Sequence, residues 1–72
     1  MSVSTLEPTQ AAQALRRSPI PALRKLSIEE NSESVVIHGS VASYYLKQLA
    51  QETIMPVREG MQLVNRVDVV NA

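Results

Sequence analysis

The stretch from Ser34 to Ile54 constrains the fold more than any other part of this chain, because its hydrophobic period changes once within it. The first half places apolar or small residues at every second position, on one face of a strand: Val35, Ile37, Gly39 and Val41. The second half places them three and four positions apart, along one stripe of a helix: Tyr45, Leu46, Leu49, Ala50, Thr53 and Ile54. This change of period predicts a strand that leads directly into an amphipathic helix.

The residues before this stretch predict a short helix and a first strand. Glu7-Pro8-Thr9 begins the helix, because proline suits the first helical turn, and Ser18-Pro19-Ile20-Pro21 ends it. From Leu23 to Glu29 the pattern alternates, which predicts a half-buried strand. The polar residues 30–33 then form a turn, so this strand and the next are expected to pair as a hairpin.

The residues after the stretch predict how the second helix is bounded and where the last strand lies. Ser43 is the expected N-cap of that helix, and Pro56 is expected to end or kink it near Met55. Met61 to Val70 forms the last strand, with one face made by Leu63, Val67 and Val69. The predicted fold is an α+β two-layer sandwich in the order αββαβ, with both helices on one face of a three-stranded mixed sheet. The pattern leaves open which hairpin strand the last strand joins.

Length and composition narrow the classes of function. The 72 residues make one domain, which we assign to residues 6–72 after a disordered lead-in at residues 1–5. The chain has no cysteine, so neither disulfides nor thiolate metal sites are expected. A formal net charge of zero and only two aromatic residues argue against a nucleic-acid partner.

Neither a membrane-targeting segment nor a catalytic motif is recognisable. Met1 to Glu7 lacks the basic start and apolar run of a signal peptide, and no apolar stretch is long enough to form a transmembrane segment. The sequence as written predicts a cytoplasmic location; a domain cut from a larger exported parent is expected in the periplasm or envelope. Paired carboxylates, a nucleophile beside a base and a glycine-rich phosphate loop are all missing, so neither enzyme activity nor a cofactor is expected.

Between Gln10 and Val70 the sequence resembles the BON domain family, small modules of bacterial osmotic-shock, nodulation and other envelope proteins. The resemblance is carried by the strand Val35-x-Ile37-x-Gly39-x-Val41, the helix after it and the closing strand Val64-Asn65-x-Val67-x-Val69. It implies structural roles for these motif residues and no catalytic ones. It also implies association with phospholipid membranes or envelope components, the role usually proposed for the family.

Four basic residues form the candidate surface for an anionic membrane or another protein: Arg16, Arg17, Arg24 and Lys25. Near an anionic bilayer each cation contributes on the order of 1 kcal/mol, which suits weak, salt-sensitive adhesion. An ordinary solvated face is the alternative interpretation. Tyr44 joins this set as a tyrosine free to anchor a partner, whereas Tyr45 is expected in the core.

Three other residues have structural interpretations. Gly39 is expected to permit close packing of the crossing helix on the sheet. His38, the single histidine, is expected in water on the open sheet face, since a catalytic or metal site needs further converging groups. Asn65 is expected to be hydrogen-bonded as a latch for a loop.

Two non-catalytic functions follow from the sequence. The first is peripheral association with phospholipid or the envelope through the basic residues. The second is protein–protein interaction, including homodimerisation, through an open sheet edge or through the outer face bearing Val36, Val64 and Val70.

Overall fold

The computed structural model describes residues 9–70, and the predicted lead-in at residues 1–5 lies outside them. The chain runs in the order α1 (Gln10–Arg16), α2 (Pro21–Arg24), β1 (Ser27–Glu30), β2 (Ser34–Val41), α3 (Tyr44–Ile54) and β3 (Gln62–Val69). A single turn of 3-10 helix, Met55–Val57, follows α3. The predicted αββαβ order is therefore present, with one short helix added between α1 and β1.

The three strands form one mixed sheet in the order β1-β2-β3. β1 lies antiparallel to β2, with Ile28 opposite Ile37, and β3 lies parallel to β2, with Val67 opposite Gly39. The predicted α+β class with a three-stranded mixed sheet is confirmed. The structure also decides what the pattern left open: the closing strand pairs with β2, so β2 is central and the other two strands are edges.

The core lies between the sheet and the helices. α3 contacts both β2 and β3, while α1 contacts α3 and β1, so the helices cover one face of the sheet. The buried hydrophobic side chains are all aliphatic: Ala11, Leu15, Leu23, Leu26, Val35, Ile37, Val41, Ala50, Ile54 and Val67. Val35 and Ile37 of β2 thus pack in one layer with Ala50 and Ile54 of α3, as the two hydrophobic periods predict.

The prediction of a strand from Leu23 onward was wrong. Pro21 occupies the first helical position of α2, where its fixed φ is already helical and its missing N–H has no intrahelical partner. The resulting single turn carries Leu23 into the core, where it is 1% exposed. Extended pairing therefore begins only at Ser27, and β1 has four residues.

The predicted N-cap of α3 at Ser43 and its end near Met55 are confirmed, whereas α1 begins at Gln10, after the Glu7-Pro8-Thr9 segment that was expected to begin it. The Ser43 hydroxyl accepts the Leu46 N–H at 3.2 Å and caps α3, and the Thr9 hydroxyl caps α1 in the same way at 3.1 Å. Pro56 lies in the 3-10 turn that follows Ile54, so α3 ends where the proline was expected to end it. The Ser43 cap places the start of α3 three residues after the end of β2, with only Ala42 and Ser43 between them.

Candidate interaction surface

β3 leaves one side of its backbone without a strand partner among the described residues. The Gln62 N–H donates to the Glu33 carbonyl at 2.9 Å, and the Val70 N–H donates to the Val41 carbonyl at 2.8 Å. Because successive residues of a strand turn their backbone groups to opposite sides, the even-numbered residues of β3 face β2. The N–H and C=O groups of the odd-numbered residues, Leu63, Asn65, Val67 and Val69, therefore face the open edge.

One of these edge groups is already bonded within its own strand. The Val67 N–H donates to Oδ1 of Asn65 at 3.2 Å, which independently places that N–H on the side away from β2. Nδ2 of Asn65 donates to the Lys47 carbonyl of α3 at 3.0 Å and lies 3.5 Å from Oε1 of Gln51. The expected latch at Asn65 is present, but the expectation of a loop was wrong, because the latch joins β3 to a helix.

The outer face of β3 carries two opposite charges that are free of ion pairs within residues 9–70. Val64 lies beside Val36 in the register, Arg66 beside His38, and Asp68 beside Ser40. Arg66 and Asp68 are both exposed. The two charged residues are two positions apart on the solvent-facing side of β3. A strand added to the open edge would place its own side chains beside them.

β1, the other edge, is less suited to pairing. It has four residues against eight in β3, and two of them are the exposed Glu29 and Glu30. Short length and like charge both discourage a strand from adding to an edge. The open edge of β3 is thus the longer of the two and the one whose charges balance.

Two tyrosines lie exposed at the start of α3, and the prediction of a buried Tyr45 was wrong. Tyr44 is 63% exposed and Tyr45 is 69% exposed. Both tyrosines belong to the first turn of α3, whereas the buried residues of that helix, Ala50 and Ile54, come later. Val69 and Val70, at the end of β3, are also exposed and lie at the same end of the domain, since Val69 is paired with Val41.

The four basic residues are all exposed, and two of them, Arg17 and Lys25, line different depressions. The Arg24 guanidinium donates to the Ser18 carbonyl at 2.9 Å, which holds it beside the end of α1. Arg17 lines a shallow depression of about 270 Å³ with Gln10 and Val57. Lys25 lines a separate one of about 260 Å³, together with Ser40, Ala42 and Val70 among others.

His38 and Gly39 have local structural roles. Nε2 of His38 lies 2.9 Å from Oε1 of Glu29, across the strand pair on the outer face. Gly39 has φ +134°, and a Cβ added there would lie 2.6 Å from Cδ2 of Leu26. The expected collision with the crossing helix was wrong, because the close neighbour is a residue next to β1.

The described residues contain no group of three or more His, Cys, Asp or Glu side chains placed to hold a metal ion. None of the helices within residues 9–70 has the length and apolarity that a membrane crossing needs. Comparison of the chain with protein-family models, curated proteins and solved structures gave no match.

Arg66 and Asp68 were not among the site residues predicted from the sequence. Their alternation with Val64 and Val70 places all four on one face of a strand, and that signal is visible in the sequence. What the sequence does not contain is the strand order, which makes β3 an edge and thereby makes these side chains available.

Proposed function

We propose that this protein is a non-catalytic interaction module that binds a protein partner by adding the partner's strand to the open edge of β3. The observation that carries the proposal is the set of outward-facing backbone groups at Leu63, Asn65, Val67 and Val69. An unpaired edge of this kind recruits an extended chain through main-chain hydrogen bonds, while side chains on the two faces select its sequence.

The side chains around the edge support recognition of a mixed apolar and polar strand. The outer face offers Val64 and Val70 with one cation and one anion between them. Near one end of the edge, the exposed Tyr44 and Tyr45 add aromatic surface, which is enriched where proteins bind each other. Binding along β3 would cover apolar surface that the domain otherwise leaves in water.

The test uses the isotope-labelled protein and a displayed library of ten-residue peptides without proline. Selected peptides are expected to shift the amide resonances of β3 and to leave those of β1 and α1 unchanged. Selected peptides that shift only resonances away from β3, or the absence of any binding peptide, would contradict the proposal.

A matched pair of variants isolates the edge backbone. Val69→Pro removes an outward N–H without removing a bond to β2, whereas Val69→Ala shortens the same side chain and keeps the N–H. Peptide binding is expected to fall in the proline variant and to persist in the alanine variant. Equal loss in both variants would show that the Val69 side chain, and not the edge backbone, is required.

A second candidate function is peripheral binding to anionic phospholipid, which the BON resemblance implies. The observation that favours it is the exposure of all four basic side chains: Arg16, Arg17, Arg24 and Lys25. The test is co-sedimentation with phosphatidylserine vesicles and with phosphatidylcholine vesicles, at low and high salt. Arg16→Gln with Arg17→Gln is expected to weaken binding to the anionic vesicles, while Arg66→Gln, a control on β3, leaves it unchanged. Sedimentation that is absent at low salt would exclude this function.

A further inference from the structure

We propose that the strand bound at this edge is β3 of a second copy of the chain, antiparallel to the first, with the two-fold axis at Val67. This inference rests on the proposed function and names its partner. The resulting dimer would have one continuous sheet of six strands, with β1 at both outer ends and the helices of both copies on the same face.

Backbone direction limits the registers that a symmetric antiparallel pair can take. The outward groups belong to odd-numbered residues, so odd residues face odd residues and even residues face even ones. The two-fold axis then passes beside one residue of β3, which faces its own copy. The residues near the middle of the strand that qualify are Asn65, Arg66, Val67 and Asp68.

Charge selects among these four registers. An axis at Arg66 sets that guanidinium opposite itself, and an axis at Asp68 does the same with a carboxylate; like charges directly opposite are unfavourable. An axis at Asn65 sets Arg66 opposite Val64 and leaves both charges without a partner. Only the axis at Val67 sets Arg66 opposite Asp68 of the second copy, and it does so twice by symmetry.

The same register also pairs the apolar side chains of the outer face. Val64 falls opposite Val70 of the second copy, again twice, and Val70 is 55% exposed in the single chain. On the inner face, Val67 meets its own copy at the axis and Asn65 faces Val69. Each contact on the outer face is thus either oppositely charged or apolar on both sides.

The interface competes with one bond that the single chain already makes. At the axis, the Val67 N–H would donate to the Val67 carbonyl of the second copy, but it now donates to Oδ1 of Asn65 at 3.2 Å. That distance is at the long end of the usual range for such a bond, so exchange of acceptors costs little. The gain from pairing is reduced accordingly, and we expect a reversible dimer with a Kd on the order of 0.1–1 mM.

Analytical ultracentrifugation from about 20 µM to 2 mM tests the inference with charge variants on the outer face. Arg66→Asp and Asp68→Arg each turn two attractive contacts into repulsive ones, so each alone is expected to weaken self-association at least about fivefold. An equimolar mixture of the two variants restores opposite charges at every contact and is expected to associate at least as well as the unmodified chain. Glu52→Arg, at an exposed position of α3 and with the same charge change as Asp68→Arg, is a control expected to behave as the unmodified chain.

Neither Arg66 nor Asp68 is part of the core, so circular dichroism is expected to show unchanged folding in both variants. A concentration-dependent slowing of amide exchange at Asn65 and Val69 would support the pairing directly. Association that Arg66→Asp strengthens, or that the mixture fails to restore, would overturn the Val67 register.

The inference and the proposed function fail in different ways. An unmodified chain that stays monomeric at 2 mM, yet binds library peptides along β3, overturns the homodimer and leaves the strand-binding function intact. A monomeric chain without peptide binding at β3 overturns both. Slow amide exchange at Asn65 and Val69 that does not change with protein concentration would mean that something other than a second copy protects the edge. That result would overturn the homodimer.

Discussion

The Asn65 side chain joins the closing strand to the N-terminal half of α3 through a 3.0 Å hydrogen bond to the Lys47 backbone carbonyl. The same side chain accepts the Val67 N–H, so one amide both ties a helix to an edge strand and occupies an edge donor. A half-buried asparagine therefore links the stability of the α3–β3 layer to the availability of the edge.

Replacing Asn65 with alanine should destabilise the domain by about 1–2 kcal/mol, because a half-buried side chain loses two hydrogen bonds. Gln51→Ala is the matched control, since its contact with Nδ2 of Asn65 lies at the 3.5 Å limit and its loss should cost less than about 0.5 kcal/mol. Urea unfolding of both variants, with equal m-values, measures the difference. Equal costs for the two substitutions would show that the bond to the Lys47 carbonyl contributes nothing.

Gly39→Ala should cost about 2–3 kcal/mol, because a side chain is strained at φ +134° and its Cβ would displace Leu26. Gly60→Ala is a control at φ +81° with open space around it, and about 1 kcal/mol is expected there. The Leu26 atom is the end of a flexible side chain, so backbone strain is the larger part of the Gly39 cost. In a double-mutant cycle, Leu26→Ala should therefore recover less than half of the loss at Gly39; full recovery would identify steric overlap as the cause.

Val35 and Val36 are adjacent residues of β2 that face opposite sides of the sheet. Val35 is 0% exposed, and its replacement by alanine should cost about 2–3 kcal/mol from lost burial and a cavity. Val36 is half-exposed on the outer face, so its replacement should cost less than about 1 kcal/mol. Thermal and urea unfolding measure both values, and a larger effect at Val36 would mean that the outer face is covered in solution.

Ser43→Ala should destabilise the domain by about 1 kcal/mol, because α3 loses the acceptor for its Leu46 N–H. Ser43→Asp keeps an acceptor at the same place and adds a favourable charge at the helix N-terminus, so it should be neutral or stabilising. The comparison is made by urea unfolding at neutral pH. Equal destabilisation by both substitutions would argue that another property of the Ser43 side chain matters.

Several features were predictable because they depend on residues close together in the chain. The alternation of Val35, Ile37 and Val41 identified β2, and the Ser43 cap and Pro56 marked the limits of α3. Two errors have the same origin. Leu23 fits an alternating pattern, but the pattern does not show that Pro21 starts a helical turn there. Tyr45 fits a helical pattern, but the pattern does not show that its side chain is left in water.

The amino-acid sequence by itself determined the order of the main elements, the aliphatic core and the α+β class, because hydrophobic period, capping and proline effects act within a few residues. The tertiary structure alone decided that β3 lies beside β2, and hence that Leu63, Asn65, Val67 and Val69 turn their backbone groups to an open edge. It also decided that Asn65 reaches the Lys47 carbonyl. Strand order and the contact between Asn65 and Lys47 depend on packing between residues that are far apart in the sequence. A pattern of neighbouring residues cannot predict that packing.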